Sequence, residues 1–151
     1  SLFDAPIFYP ARNALAFSEH MVAQSVIGLP LHWLDLSPVL IYNVLVWLGH
    51  TLSGFAMALL MRSWTGSTFA GVVSGCLYAF NAHLLTRYAH LQALHLEFFP
   101  AVLYAFDRVL REARLRYVAT LAAAFAIQAL CSNYTMVMMS AALVMAAAVN
   151  Q

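Results

Sequence analysis

The strongest constraint on this chain is a run of 34 residues, Tyr117 to Asn150, without one charged side chain. A second run, residues 36 to 61, is equally free of charge. A helix needs about 20 apolar residues to cross a hydrocarbon core of about 30 Å, and both runs exceed that. Composition agrees: 64% of the 151 residues are hydrophobic and 9% are charged, against about 45–50% and about 25% in soluble domains. This profile excludes a soluble enzyme, a disordered chain, a collagen and a disulfide-stapled secreted scaffold. A net charge of +1 with no long basic run also argues against a nucleic-acid partner, because a phosphate backbone has to be neutralised over many contacts. The expectation is an all-α integral membrane protein, a polytopic bundle of transmembrane helices in contact with the lipid bilayer.

The stops between apolar runs set the expected spans. Ser37 can cap a helix whose first residue is Pro38, where the missing N–H costs nothing. A first span then covers 38–61 and stops at Arg62. Ser63-Trp64-Thr65-Gly66-Ser67 is a polar turn with an interfacial Trp. A second span covers 68–83, with Thr86 as its outer limit. A third covers 94–110, carries Glu97 and Pro100 near its start, and leads into an Arg-rich turn, Asp107 to Arg116. As one helix the 34-residue run would be about 51 Å long. Its most polar point, Cys131-Ser132-Asn133-Tyr134, divides it into 117–131 and 134–149, with one long tilted helix as the alternative. The sum is four to five spans. Residues 1–37 form an outer loop, with a short interfacial helix from Asn13 to about Ile27 stopped by Gly28-Leu29-Pro30. Residues 38–151 form the bundle. A start at Ser1 without Met and an end just past an apolar stretch suggest an internal piece of a longer polytopic protein, inactive alone.

Arg placement gives the orientation. Arg62, Arg108, Arg111, Arg114 and Arg116 fall on one side with Asp107 and Glu112, a net +3. Arg12 and Arg87 fall on the other with Asp4, Glu19, Asp35 and Glu97, a net −2. Positive-inside counting puts the first side in the cytoplasm. All seven basic residues are Arg, which fits an Arg- and Ala-rich bacterial proteome. The expected location is a bacterial inner membrane, multi-pass, with any site facing the periplasm. Gly71-Val72-Val73-Ser74-Gly75 is a small-xxx-small pattern that lets two helices approach closely. Asn43, His50 and Gly54 share one helical face, expected to point into the bundle and hydrogen-bond between helices.

The remaining polar chemistry gathers on the outer side. Ser18-Glu19-His20 sets a carboxylate beside an imidazole before the first span; its bland reading is a surface helix with both groups in water. His83, Arg87, His90 and Glu97 stand at i, i+4, i+7 and i+14, one stripe if the region is helical. Such a stripe beside a bilayer is costly unless it faces protein or water. The planar fork of Arg87 suits a phosphate or carboxylate, and His90 can donate a proton or a hydrogen bond near neutral pH. The structural alternative is Arg87 paired with a carboxylate and His90 on a backbone carbonyl. No cofactor is identified. The His spacings match no zinc pattern, so a divalent metal has no support from spacing. No phosphate-cradling Gly loop and no nucleophile elbow is present.

Several blocks carry a family resemblance: Asp4-Ala5-Pro6-Ile7-Phe8-Tyr9-Pro10, Asn13 through His20, Tyr78-Ala79-Phe80-Asn81, Arg87-Tyr88-Ala89-His90-Leu91-Gln92 and Gln128 through Tyr134. Together the chain resembles uncharacterised bacterial relatives of the GT-C-type glycosyltransferases. The resemblance implies a GT-C-like N-terminal portion that transfers a sugar from a polyprenyl-phosphate donor, at the outer face of the membrane, to a glycan, lipid or protein acceptor. It implies Glu19 and His20 as catalytic residues lining the cavity, beside a further acid upstream of Ser1. It places Arg87 on the donor phosphate with His90 beside it, and His83 and Glu97, which share their stripe by spacing, join them as expected substrate-binding residues. A transporter or lipid-flipping module and a non-catalytic membrane scaffold are the competing classes.

Overall fold

The computed structural model describes Pro10, Arg12, Asn13, Glu19 and residues 21–149. Among the described residues all regular structure is helical, in eight helices. Helix α1 spans Val22–Trp33 and α2 spans Pro38–Thr65; α3 spans Thr68–Ala79 and α4 spans Ala82–Leu85. Then come α5, Leu91–Leu94, α6, Phe98–Glu112, α7, Leu115–Cys131, and α8, Asn133–Val149.

The start of α2 follows the expected chemistry. Ser37 Oγ accepts from Leu40 N at 3.3 Å, and Pro38 takes the first helical position. Gly66 ends the helix in the left-handed region at φ 71, and its N–H donates to Arg62 O. Only a residue without Cβ adopts that conformation cheaply. Ser67 then caps α3 by accepting from Ala70 N at 3.2 Å. The resulting α2–α3 hairpin packs backbone against backbone. A methyl group on Gly75 would lie 2.5 Å from Gly54 O, and one on Gly71 would lie 2.6 Å from Ala58 O. The small-residue pattern therefore does what its spacing implies. On the facing helix His50 is buried and its Nδ1 donates to Ala79 O at 2.7 Å, the interhelical bond expected of it, while Asn43 is exposed.

The count of four to five spans is overturned. Among the described residues two helical stretches are long and apolar enough to cross a membrane, Pro38–Thr65 and Thr68–Leu85. In their most apolar windows 28% and 22% of residues are buried, so they turn apolar surface outward, unlike the core helix of a soluble protein. Two such helices accord with a multi-pass membrane protein. The other expected spans fail on length. Helix α6 has 15 residues, about 22 Å, and ends in Asp107, Arg108, Arg111 and Glu112. Its expected first residues, 94–97, form the end of α5 and a tight connection instead. The break between α7 and α8 falls where expected, but it leaves two pieces of 17 residues, each about 25 Å and short of the hydrocarbon core.

The outer-loop helix also differs. Positions 14–18 and His20 lie outside the described residues, and α1 begins only at Val22, after Met21 in the left-handed region at φ 46. It then runs through Gly28-Leu29-Pro30 instead of stopping there. Tertiary docking outweighs the local stop signal: Gly28 is buried against Ile41 and Leu45 of α2, and Gln24 Nε2 donates to Cys131 O at 3.1 Å.

Two apolar clusters hold the helices. Leu45, Leu84, Leu91 and Leu94 join α2, α4 and α5; Val102, Ala124 and Met139 join α6, α7 and α8. Ser63 and Trp64 share a hollow with Asp107, Arg108 and Arg111, so the α2–α3 turn and the Arg-rich α6–α7 turn lie at one end.

Candidate functional site

A cavity of about 300 Å³ is lined by Glu19, His83, Arg87 and His90, with Gln92, Ser132 and Tyr134 beside them. Its residues come from the segment before α1, from α4, the turn after it and α5, and from the α7–α8 break with the start of α8. Four of the six residues expected at a site are thus brought together. They do not form the stripe expected of a continuous helix over 83–97, because the helix breaks twice there.

Asn81 starts the cavity wall. Its Oδ1 accepts from Leu84 N at 3.0 Å and its Nδ2 donates to Tyr78 O at 2.8 Å, so α3 ends and α4 begins in a new direction. After one turn Thr86 closes α4, its Oγ1 donating to His83 O at 2.9 Å. Arg87 and His90 then bracket a turn in which His90 N donates to Arg87 O at 2.8 Å. Tyr42 Oη donates to Tyr88 O and ties this turn to α2. The turn brings His83, Arg87 and His90 to one cavity without helical periodicity.

The opposite wall is the start of α8. Glu19 Oε1 accepts from Tyr134 N at 3.1 Å, and Ser132 Oγ accepts from Thr135 N at 3.4 Å. A carboxylate at the first turn of a helix complements the positive end of its dipole. Glu19 is therefore partly buried and held by a backbone donor, not a solvated residue on a surface helix.

The cations across from it are unengaged. The side chains of His83, Arg87 and His90 are exposed and make no hydrogen bond or ion pair among the described residues. The structural alternative of Arg87 on a carboxylate and His90 on a carbonyl is not found there. A guanidinium and two imidazoles facing a shared hollow can receive an anion without first losing a partner.

Glu97 stands apart from the cavity lining. It is buried, and its Oε1 accepts from His95 Nδ1 at 2.9 Å. His95 is fully buried, and its own sequence neighbourhood carries no sign of this role. Around it the connection 94–97 is held from three helices. Leu96 N donates to Ser53 Oγ at 3.2 Å, and Tyr78 Oη donates to Leu96 O at 3.3 Å. Gln128 Nε2 donates to His95 O at 2.9 Å and to Thr135 Oγ1 at 3.0 Å. Burial of polar groups requires such partners. The signal for this network is the set of lone polar residues inside apolar runs, Ser53, Gln128 and Thr135. Among the described residues no three His, Cys, Asp or Glu side chains gather to hold a metal ion.

No family model, no curated protein and no solved structure matches this chain.

Proposed function

We propose that the chain serves a GT-C-type glycosyl transfer, from a polyprenyl-phosphate sugar donor to a glycan, lipid or protein acceptor at the outer face of a bacterial inner membrane. The observation that carries this reading is the shared cavity, where Glu19 faces unengaged Arg87, His83 and His90 at the ends of apolar helices. Sequence blocks resembling that family contribute the reaction class.

The chemistry assigns one role to each wall. The acceptor hydroxyl oxygen bonds to the sugar C1 while the C1–O bond to phosphate breaks, and the electron pair leaves with the polyprenyl phosphate. Arg87 neutralises the charge that grows on that phosphate, which lowers the barrier most where water is excluded. His83 and His90 add hydrogen bonds to the same oxygens. Glu19 takes the acceptor proton, within reach of its place at the start of α8. His20 adjoins it in sequence. Glu97 acts from below, by fixing His95 and the connection that leads away from the cavity.

The test uses membranes from cells that express the protein at its full length, supplied with polyprenyl-phosphate sugars and read by mass spectrometry of their glycolipids and glycans. Arg87→Ala and Glu19→Gln should each abolish the product while the protein remains in the membrane. Gln preserves an acceptor for Tyr134 N–H and removes only the charge. Undiminished product from both variants would overturn the site.

A further inference from the structure

Two adjoining hollows at the Arg-rich end take no part in that chemistry. One is an apolar groove of about 360 Å³ between α2 and α6, walled by Ala56, Leu59, Leu60, Pro100, Ala101 and Tyr104. The other, about 210 Å³, shares Ser63 with it and is polar, lined by Trp64, Asp107, Arg108 and Arg111. We propose that together they seat an anionic phospholipid of the bilayer, one acyl chain in the groove and its phosphate at Arg108 and Arg111.

Depth, charge and chemistry agree on this occupant. The groove wall on α2 is the last two turns of a helix apolar and long enough to cross a membrane, and Ala56 to Ser63 rises about 10 Å. The hollow above it lies where the helix ends, at the level of headgroups. Trp64 is about half exposed there, as expected of an interfacial anchor. The turn holds Arg108, Arg111, Arg114 and Arg116 against Asp107 and Glu112. Two positive charges therefore remain when both acids are paired. Within the hollow two Arg stand against one acid: Arg108 Nη2 is held by Glu112 and Tyr117 while its Nε has no partner among the described residues, and Arg111, paired with Asp107 through Nε, is 68% exposed. A basic pocket beside membrane helices attracts anionic headgroups by about five-fold per Arg. A zwitterionic lipid gains none of that.

Trp64 gives the test. With Trp33→Phe and Trp47→Phe, both exposed positions, it is the sole tryptophan reporter. The whole chain is placed in vesicles of phosphatidylcholine containing equal mole fractions of either brominated phosphatidylglycerol or brominated phosphatidylcholine. The anionic lipid should quench Trp64 more strongly, with an apparent preference that falls about five-fold in Arg111→Gln. Ala101→Leu, which fills the groove without touching a charge, should reduce the preference as well. Arg108→Gln should remove most of it; if that variant does not fold, Arg111→Gln and Ala101→Leu decide. Equal quenching by both lipids would mean bulk lipid only and would overturn the site. So would a preference that survives both Arg111→Gln and Ala101→Leu.

Discussion

The two ends of the molecule treat positive charge in opposite ways. At the α6–α7 turn every Arg has a carboxylate: Arg108 and Glu112 meet at 2.5 Å, Arg111 and Asp107 at 2.7 Å, and Arg114 and Arg116 reach Glu112 at 3.4 and 3.7 Å. Tyr117 Oη accepts from both Arg108 and Arg116, and its bond to Arg108 holds that guanidinium above its usual pKa. At the cavity end His83, Arg87 and His90 engage nothing among the described residues. The lesson is that local spacing already separates the two kinds of cation. Arg111 lies in the last turn of α6 with Asp107 four residues before it, whereas Arg87 lies in a turn with no acid three or four residues away on either side.

The largest test of this contrast lies beneath the cavity. His95→Ala leaves Glu97 buried without its partner and loosens the connection that Ser53, Tyr78 and Gln128 hold. The expected loss is about 3 kcal/mol, measured by reversible unfolding in mixed micelles. A neutral result would mean that the cavity end does not depend on its interior network. Gly75→Ala comes next, at about 2 kcal/mol, because its new methyl meets Gly54 O and the backbone has to yield. Both ends should loosen together, seen as faster amide exchange in the 83–90 and 107–116 segments; loosening at one end alone would break the picture of a shared hairpin. Arg87→Ala should leave the unfolding midpoint unchanged, since its side chain has no partner to lose. The smallest effect belongs to Arg111→Gln, at most about 0.5 kcal/mol, because its ion pair is largely exposed. If Arg87→Ala destabilises more than Arg111→Gln, the assignment of free and paired cations is reversed.

Much of this was legible in the chain. Ser37-Pro38 and the Cys131-to-Tyr134 break each carry their own cap or turn chemistry, and each marks an observed boundary within two residues, whereas α2 runs past its expected stop at Arg62 to Thr65, where Gly66 ends it. The glycine pattern foretold the close helix pair. The number of spans was not legible, because apolar composition does not say where a connection such as 94–97 is pulled inward. That depends on Ser53, Tyr78 and Gln128, which arrive from other helices. The same contacts took Glu97 from the cavity into the interior, and a separate docking, of Gly28 on α2 and Gln24 on Cys131, carried α1 through Pro30. Glu19, His83, Arg87 and His90 were named for one reason and assembled for another: a turn tied by Tyr42 replaced the helical stripe.

The Gly71–Gly75 contact has a mechanical consequence. Where side chains separate two helices, rotamer changes let them creep past one another. Here carbonyl oxygens of α2 sit in notches on α3 that have no side chain to move. The notches are four residues apart, so the next matching register is about 6 Å away. Small sliding is blocked by main chain on main chain. The hairpin behaves as a ratcheted strut that keeps the cavity and the Arg-rich turn at a fixed separation.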